Sequence, residues 1–167
     1  MFETGVFEPE SQTFPNGCHV CEIEIDPETG RLAVERYAVV DDVGTVINEL
    51  TLEGQVHGGL AQGIGAALFE EAVWDDSGQL ITGSFMDYAM PLAEEFPMFT
   101  IDRTVTPSPH NPLGVKGMGE SPTVAAVPAL VNAVVDAMAH LGVTHVDIPL
   151  KPEKVWRVLR EHGGAAT

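Results

Sequence analysis

Residue types capable of acid–base chemistry gather in one stretch, Asn111-Pro112-Leu113-Gly114-Val115-Lys116-Gly117-Met118-Gly119-Glu120-Ser121-Pro122. Its three glycines leave the backbone bare, so a bulky ligand can come close to the main chain. Lys116 is the only lysine or arginine between Arg103 and Lys151. Glu120 follows the last glycine and precedes Ser121-Pro122, which reads as a helix start with Ser121 as cap and Pro122 at the first helical position. A carboxylate there, beside a lone lysine in a turn, is a candidate general base. Equally, Glu120 could do no more than complement the dipole of the helix it precedes.

Two further stretches carry polar groups at useful spacing. Asp41-Asp42-Val43-Gly44-Thr45-Val46-Ile47-Asn48 puts two carboxylates at a strand end, then a glycine and a short polar loop. That is either a ligand rim or a plain strand-to-helix connection. Downstream, Gln55, Gly59, Gln62 and Ala66 fall on one helical seam, with Gln55 and Gln62 two turns apart. Small residues on the seam let another backbone or a flat ligand lie close, and the two amides then offer donors and acceptors in a fixed line. Close helix-on-sheet packing with the amides in solvent explains the same pattern. Cys18-His19-Val20-Cys21 looks like a metal motif, but on a strand the two cysteines point to opposite faces, and no second Cys/His pair completes a tetrahedral site. Structural thiols are the expectation.

The elements that must position these residues follow from periodicity. Gly17 to Asp42 reads as a β-hairpin: Cys21, Ile23 and Ile25 alternate with Val20, Glu22, Glu24 and Asp26. Asp26-Pro27-Glu28-Thr29-Gly30 makes the turn, and Leu32, Val34 and Tyr37 to Val40 the return strand. Leu50 to Glu71 reads as a helix with Leu52, Val56, Leu60, Ile64 and Ala67 on its apolar side. Five interior glycines, each costing about 1 kcal/mol against alanine, mean that tertiary packing must hold it. Val73 to Thr82 resembles a second hairpin around Asp75-Asp76-Ser77-Gly78. Gly83 to Pro97 looks irregular, with Phe85, Tyr88 and Met90 expected inside. Met98 to Thr106 alternates as a strand, and a proline-stiffened run then reaches the glycine-rich loop. Pro122 to Leu141 is helical, with Pro128 either kinking it or starting its main part, and Gly142 as C-cap. Val143 to Leu150 reads as a strand and Pro152 to Glu161 as a short amphipathic helix. The expected fold class is α+β, a mixed, largely antiparallel sheet with packed helices. Residues 1–16 read as an N-terminal arm that something precedes or covers, 17–162 as a partial domain, and 163–167 as a frayed tail.

Composition narrows the partners. The 167 residues hold Asp+Glu 25 against Lys+Arg 8, a formal net charge of −17. Nucleic acid and anionic membranes select basic surfaces, so neither is an expected partner. An anionic cofactor remains open, because backbone N–H groups and helix N-termini can hold one. The start shows no basic n-region followed by an apolar core, and no apolar run reaches spanning length, so the expectation is a cytoplasmic protein without a membrane span.

Taken together, Asp41-Asp42-Val43-Gly44 through Ile47-Asn48, Glu53-Gly54-Gln55-Val56-His57-Gly58-Gly59 with Gln62-Gly63-Ile64-Gly65, Gly83-Ser84-Phe85-Met86-Asp87-Tyr88 and the loop ending at Glu120 resemble the molybdenum-binding large subunit of the xanthine dehydrogenase family. The aerobic carbon monoxide dehydrogenase type is the nearest in kind. The likeness runs in order from about Thr13 to Glu161 and is to the C-terminal part of that subunit only. Two departures adjoin the motifs: Asn48-Glu49 stands where Asn-Pro is typical, and Ser121-Pro122 where Ala-Gly is common. The resemblance implies that Glu120 is the catalytic base of an oxidative hydroxylation and that Gln62 hydrogen-bonds the pterin. It also implies that Lys116, Gly117, Met118 and Gly119 line the cofactor, with Gln55 in the same motif. Asp42, Val43 and Asn48 would then meet the nucleotide end of a molybdenum–molybdopterin cytosine dinucleotide. The implied partners are the remaining part of the molybdenum-binding subunit, iron–sulfur and flavin (FAD) subunits and a small-molecule substrate such as carbon monoxide, an aldehyde or a purine. The alternative is a non-catalytic paralogue or fragment acting as a protein-interaction module.

Overall fold

The computed structural model describes residues 2–163. Strand β1 (Asn16–Ile25) and strand β2 (Leu32–Asp42) form the expected hairpin, and β3 (Thr100–Thr104) pairs with the other edge of β2. The first pairing is antiparallel and the second parallel, so the sheet is mixed and the fold α+β. Asp26 builds the hairpin turn: its carboxylate accepts from Glu28 N–H and the Thr29 hydroxyl, and its carbonyl accepts from Gly30 N–H. Cys21, Ile23 and Ile25 face the core as the alternation predicts, while Val20, Glu22 and Glu24 are exposed. In β2 the parity changes between Val34 and Tyr37, because Glu22 pairs with Arg36 but Ile23 pairs with Val34. Glu35 is the extra residue of a bulge.

Helix α1 (Glu49–Leu68) and helix α2 (Ser121–Ala137) pack together over one face of this sheet. Asn48 caps α1, its side-chain oxygen accepting from Thr51 N–H at 3.0 Å. Val56, Leu60, Ile64 and Ala67 are buried along α1, as the helical wheel predicts. Of the predicted seam, Gly59 meets the other helix rather than the sheet, and Gly63, one turn on and outside that seam, does the same. A Cβ at Gly59 would stand 2.9 Å from Pro122, and one at Gly63 would stand 2.6 Å from the Ala126 Cβ. The two contacts advance together, so the helices run in the same direction. Leu130 and Val134 of α2 complete the core with Tyr37 and Val39 of β2. Pro128 lies inside α2 without ending it, on an exposed side with Val124, whose carbonyl loses its donor toward solvent. A 3-10 turn, Ala139–Leu141, follows, and Gly142 caps it with φ 80°.

Four expectations are corrected. Val143–Leu150 is not a strand: no neighbouring strand offers it a ladder. It runs over the core instead, burying Val143, Val146 and Leu150 and donating Leu150 N–H to the Ala67 carbonyl at the end of α1. Phe85 and Met90 are not inside, being 83% and 55% exposed. Only Tyr88 of that trio turns in, its hydroxyl donating to Glu70 at 2.5 Å. The hairpin over Val73–Thr82 narrows to a single bridge between Trp74 and Leu80 around the Asp75 turn. The cap of α2 is Glu120 rather than Ser121, which is the first helical residue.

Helix α3 (Pro152–Gly163) buries Val155, as its amphipathic pattern predicts. Residues 2–15 form no helix or strand, and Phe2, Val6, Phe7 and Phe14 in that arm are exposed. The frayed tail expected at 163–167 lies outside the described residues except for Gly163. No helix among the described residues is long and apolar enough to cross a membrane.

Candidate functional site

The glycine-rich loop is tied to the end of β2. Lys116 N–H donates to the Val43 carbonyl at 2.9 Å, Thr45 N–H donates to the Gly114 carbonyl at 3.0 Å, and Gly44 and Val115 form an antiparallel bridge. Gly44 and Gly114 both have φ 67°, and a Cβ on Gly44 would lie 2.2 Å from the Gly114 oxygen. Only glycine lets the two turns meet this closely in that conformation. Asn111 closes the loop on itself, donating to the Val115 carbonyl at 2.9 Å and accepting from Val115 N–H at 3.0 Å. Sequence reasoning missed Asn111 as a brace; an Asn-Pro entering a glycine turn is the signal that could have found it.

Beneath this junction lies a buried ion pair. Lys116 Nζ stands 2.9 Å from Asp42 Oδ1, and their side chains are 10% and 3% exposed. The same oxygen accepts from Gly44 N–H at 2.9 Å, and Thr104 Oγ1 approaches Oδ2 at 3.3 Å. Hydrogen bonds from the Thr106 side chain, Lys116 and Gly44 hold the Asp42 carboxyl well below the usual carboxylate range. Asp41, its neighbour, points to the helix side and meets His19 Nε2 at 3.4 Å, while His19 Nδ1 meets the Tyr37 hydroxyl at 2.9 Å. The other Asp41 oxygen is buried without a partner. Burial, with Cys21 and Asp41 nearby, pushes the Tyr37 hydroxyl above its ordinary value. Cys18 is exposed, whereas Cys21 is half-buried and donates to the Ala129 carbonyl, so the two thiols do part across the strand.

A groove of about 330 Å³ opens between the 43–48 loop, the first turns of α1 and the glycine-rich loop. Val43, Asn48, Gln55, Lys116, Met118 and Gly119 are among the residues lining it. Six of the predicted positions thus come together. Gln55 is exposed and its amide nitrogen lies 4.0 Å from where a Gly119 Cβ would be. Gly117 is exposed, with open space where a Cβ would be. Asp42 sits under the groove as Lys116's partner.

Glu120 and Gln62 lie past the end of this groove, at the junction of α1 and α2. Glu120 is exposed at the N-cap of α2, its carbonyl accepting from Val124 N–H and its side chain making no capping bond. Thr123, one turn on, donates its hydroxyl proton to the Gly59 carbonyl at 2.9 Å, and the same oxygen lies 3.3 Å from the Gln62 side-chain amide. Gln62 is exposed beside that contact. Thr123 was not foreseen; its one signal was a hydroxyl in the first turn of a helix.

The arrangement suits a large, anionic, partly flat ligand. The N-terminal turn of a 20-residue helix opens into the groove and supplies the positive end of its dipole. The Asn48 oxygen is spent on the cap, and the residue itself lines the groove. Glycine backbone on the opposite wall leaves main-chain N–H groups reachable. A carboxylate stands at one end.

Comparison with known proteins fits this geometry. Residues 2–97 match the family model of the molybdopterin cofactor-binding domain. The chain is 46% identical over 156 residues to the carbon monoxide dehydrogenase large chain of Hydrogenophaga pseudoflava, covering 93% of this chain and 19% of that one. It is 42% identical over 157 residues to the nicotine 6-hydroxylase large subunit of Paenarthrobacter nicotinovorans, covering 94% and 19%. A crystal structure of Cu,Mo-CO dehydrogenase in its carbon monoxide reduced state superposes with a TM-score of 0.90 at 42% identity, covering 96% of this chain and 20% of that one. The chain therefore spans about a fifth of the length of the relatives it matches. With the groove, the helix terminus and the glycine loop all lying within this likeness, the chain belongs to the molybdopterin cofactor-binding domain family, as a counterpart of one segment of the molybdenum hydroxylase large subunits.

Proposed function

We propose that this chain supplies the base-bearing wall of a molybdenum–molybdopterin cytosine dinucleotide site in an oxidative hydroxylase, the other wall coming from the remaining part of a molybdenum-binding subunit. A single observation carries the reading: the groove at the N-terminus of α1 collects Val43, Asn48, Gln55, Lys116, Met118 and Gly119 from three separate stretches. Asn48, the first-turn amides of α1 and the backbone from Lys116 to Gly119 hold the anionic nucleotide and pterin. Gln62 donates to the pterin from the α1–α2 seam. Asp42 and the Lys116 side chain lie beneath that wall, paired with each other. When bound, the cofactor supplies the two-electron redox centre of the hydroxylation.

Glu120 is the general base. Its carboxylate is free of capping bonds at the mouth of the site, on backbone fixed at both ends, so it can take a proton from an oxygen nucleophile held near it. Residues 17–162 act as the partial cofactor domain and residues 1–16 as an arm laid along the remaining polypeptide. Iron–sulfur and FAD partner subunits carry the electrons away. The substrate is a small molecule chosen by the other wall. The similar identities to enzymes named for carbon monoxide and for nicotine support that division, since this segment carries what the two share.

The test is co-expression of the chain with the remaining part of the subunit. The assembly should retain molybdenum by elemental analysis, and Glu120→Gln should abolish turnover with the metal still bound. Loss of metal together with activity would make Glu120 structural and favour a non-catalytic interaction module.

A further inference from the structure

We propose that the buried Asp42–Lys116 ion pair is a positioning clamp for the loop that bears Glu120, and that neither side chain touches the bound cofactor. The proposal rests on the reading of Glu120 as base and adds two positioning residues to it. Lys116 is the only lysine or arginine lining the groove, which makes it the obvious candidate for an anionic ligand. Yet its ammonium is 2.9 Å from Asp42 Oδ1, and its side chain is only 10% exposed. Drawing it out toward a ligand would leave a nearly buried carboxylate without its cation, a state that folded proteins avoid. Asp42 has no spare reach either. It accepts from Gly44 N–H and the Lys116 ammonium on one oxygen and meets Thr104 on the other.

The clamp acts through three residues. Lys116 is fixed twice, by its side chain on Asp42 and by its N–H on the Val43 carbonyl. Glu120 is fixed by α2, which Thr123 and Pro122 lock against Gly59 of α1. Between them lie only Gly117, Met118 and Gly119. Met118 packs partly on the core, while the two glycines offer the chain wide conformational freedom. The path to the Glu120 carboxylate is therefore set by its two end anchors. Without the side-chain anchor, the Lys116 end is held by backbone bonds alone, Lys116 N–H on the Val43 carbonyl and Thr45 N–H on the Gly114 carbonyl. A base displaced by about 1 Å costs on the order of 10²-fold in rate.

A double-mutant cycle separates clamping from ligand contact. Asp42→Asn and Lys116→Gln are made singly and together in the full chain co-expressed with the remaining subunit part. The double variant replaces the ion pair by a neutral amide pair, which can still bridge strand and loop but offers no cation to a phosphate. The expected result is that each single variant speeds hydrogen exchange at the Thr45 and Lys116 amides by roughly ten-fold or more and lowers kcat by about 10- to 100-fold, while KM and molybdenum content hold. The double variant should recover both exchange protection and kcat to within about three-fold of the parent. Loss of molybdenum in Lys116→Gln that the double variant does not restore would overturn the proposal and make Lys116 a cofactor contact. Unchanged exchange in the single variants would overturn it as well. The exchange arm reads the clamp whether or not cofactor is loaded. Failure of the Glu120 reading shows separately, as turnover that survives Glu120→Gln.

Discussion

At the scale of single residues, Asp42 and Lys116 show how one pair can hold two segments far apart in sequence, since the contact joins positions 74 residues apart. The pair also has a signature in acid. The folded-state pKa of Asp42 is lowered, so its contribution is fully present above the unfolded value of about 3.9 and is lost as pH falls through the folded value. Urea melts of the parent and of Asp42→Asn should therefore differ most at neutral pH, and the gap should close below about pH 4. A gap that stays constant into acid would mean that Asp42 carries no such coupling. The loop, its lysine and its glutamate were legible as candidate chemistry from residue types alone. That the lysine is consumed by Asp42 was not, because nothing local in either stretch names its partner.

Among elements, the α1–α2 contact decides what the glycines are for. Gly63 faces the Ala126 Cβ, and an added Cβ at 2.6 Å would force the helices apart. Gly63→Ala should therefore destabilise the chain by about 1–3 kcal/mol despite the better helix propensity of alanine. Gly58, by contrast, has nothing within 4 Å. Gly58→Ala should gain up to about 1 kcal/mol, read as a higher Tm in the same thermal melt. If both substitutions shift Tm in the same direction, the helix contact is wrongly drawn. The helical period and the glycine seam could be seen in advance, but the choice among sheet, ligand and helix as the seam's partner could not. The same limit applies to Val143–Leu150: its residues suit a strand, but a strand needs a neighbour with free backbone groups, and here the end of α1 takes that place.

For the molecule as a whole, one face of the sheet is covered and much apolar surface is not. Phe85, Met86 and Met98 are 83%, 96% and 91% exposed, and the arm shows Phe2 and Val6 in the same way. Surface of that kind marks an interaction site. If the remaining subunit part packs here, the chain alone should bind a hydrophobic dye and be cut by protease within residues 83–92. Co-expression with the missing part should suppress both. Cleavage that persists in a purified assembly would place the partner elsewhere.

The sequence by itself determined the local grammar of this protein. The hairpin and its Asp26 turn, the apolar stripe of α1, the helical period after Pro122 and the glycine loop ending at Glu120 all follow from periods of 2 and 3.6 and from the backbone needs of glycine, proline and aspartate. The family likeness was also present in those strings. Tertiary structure alone decided which segments meet: β3 beside β2 in parallel, α2 on the glycines of α1, Asp42 on Lys116, and Phe85 left outside. Those choices are made by shape and charge complementarity between residues tens of positions apart, and no local window of sequence contains both partners.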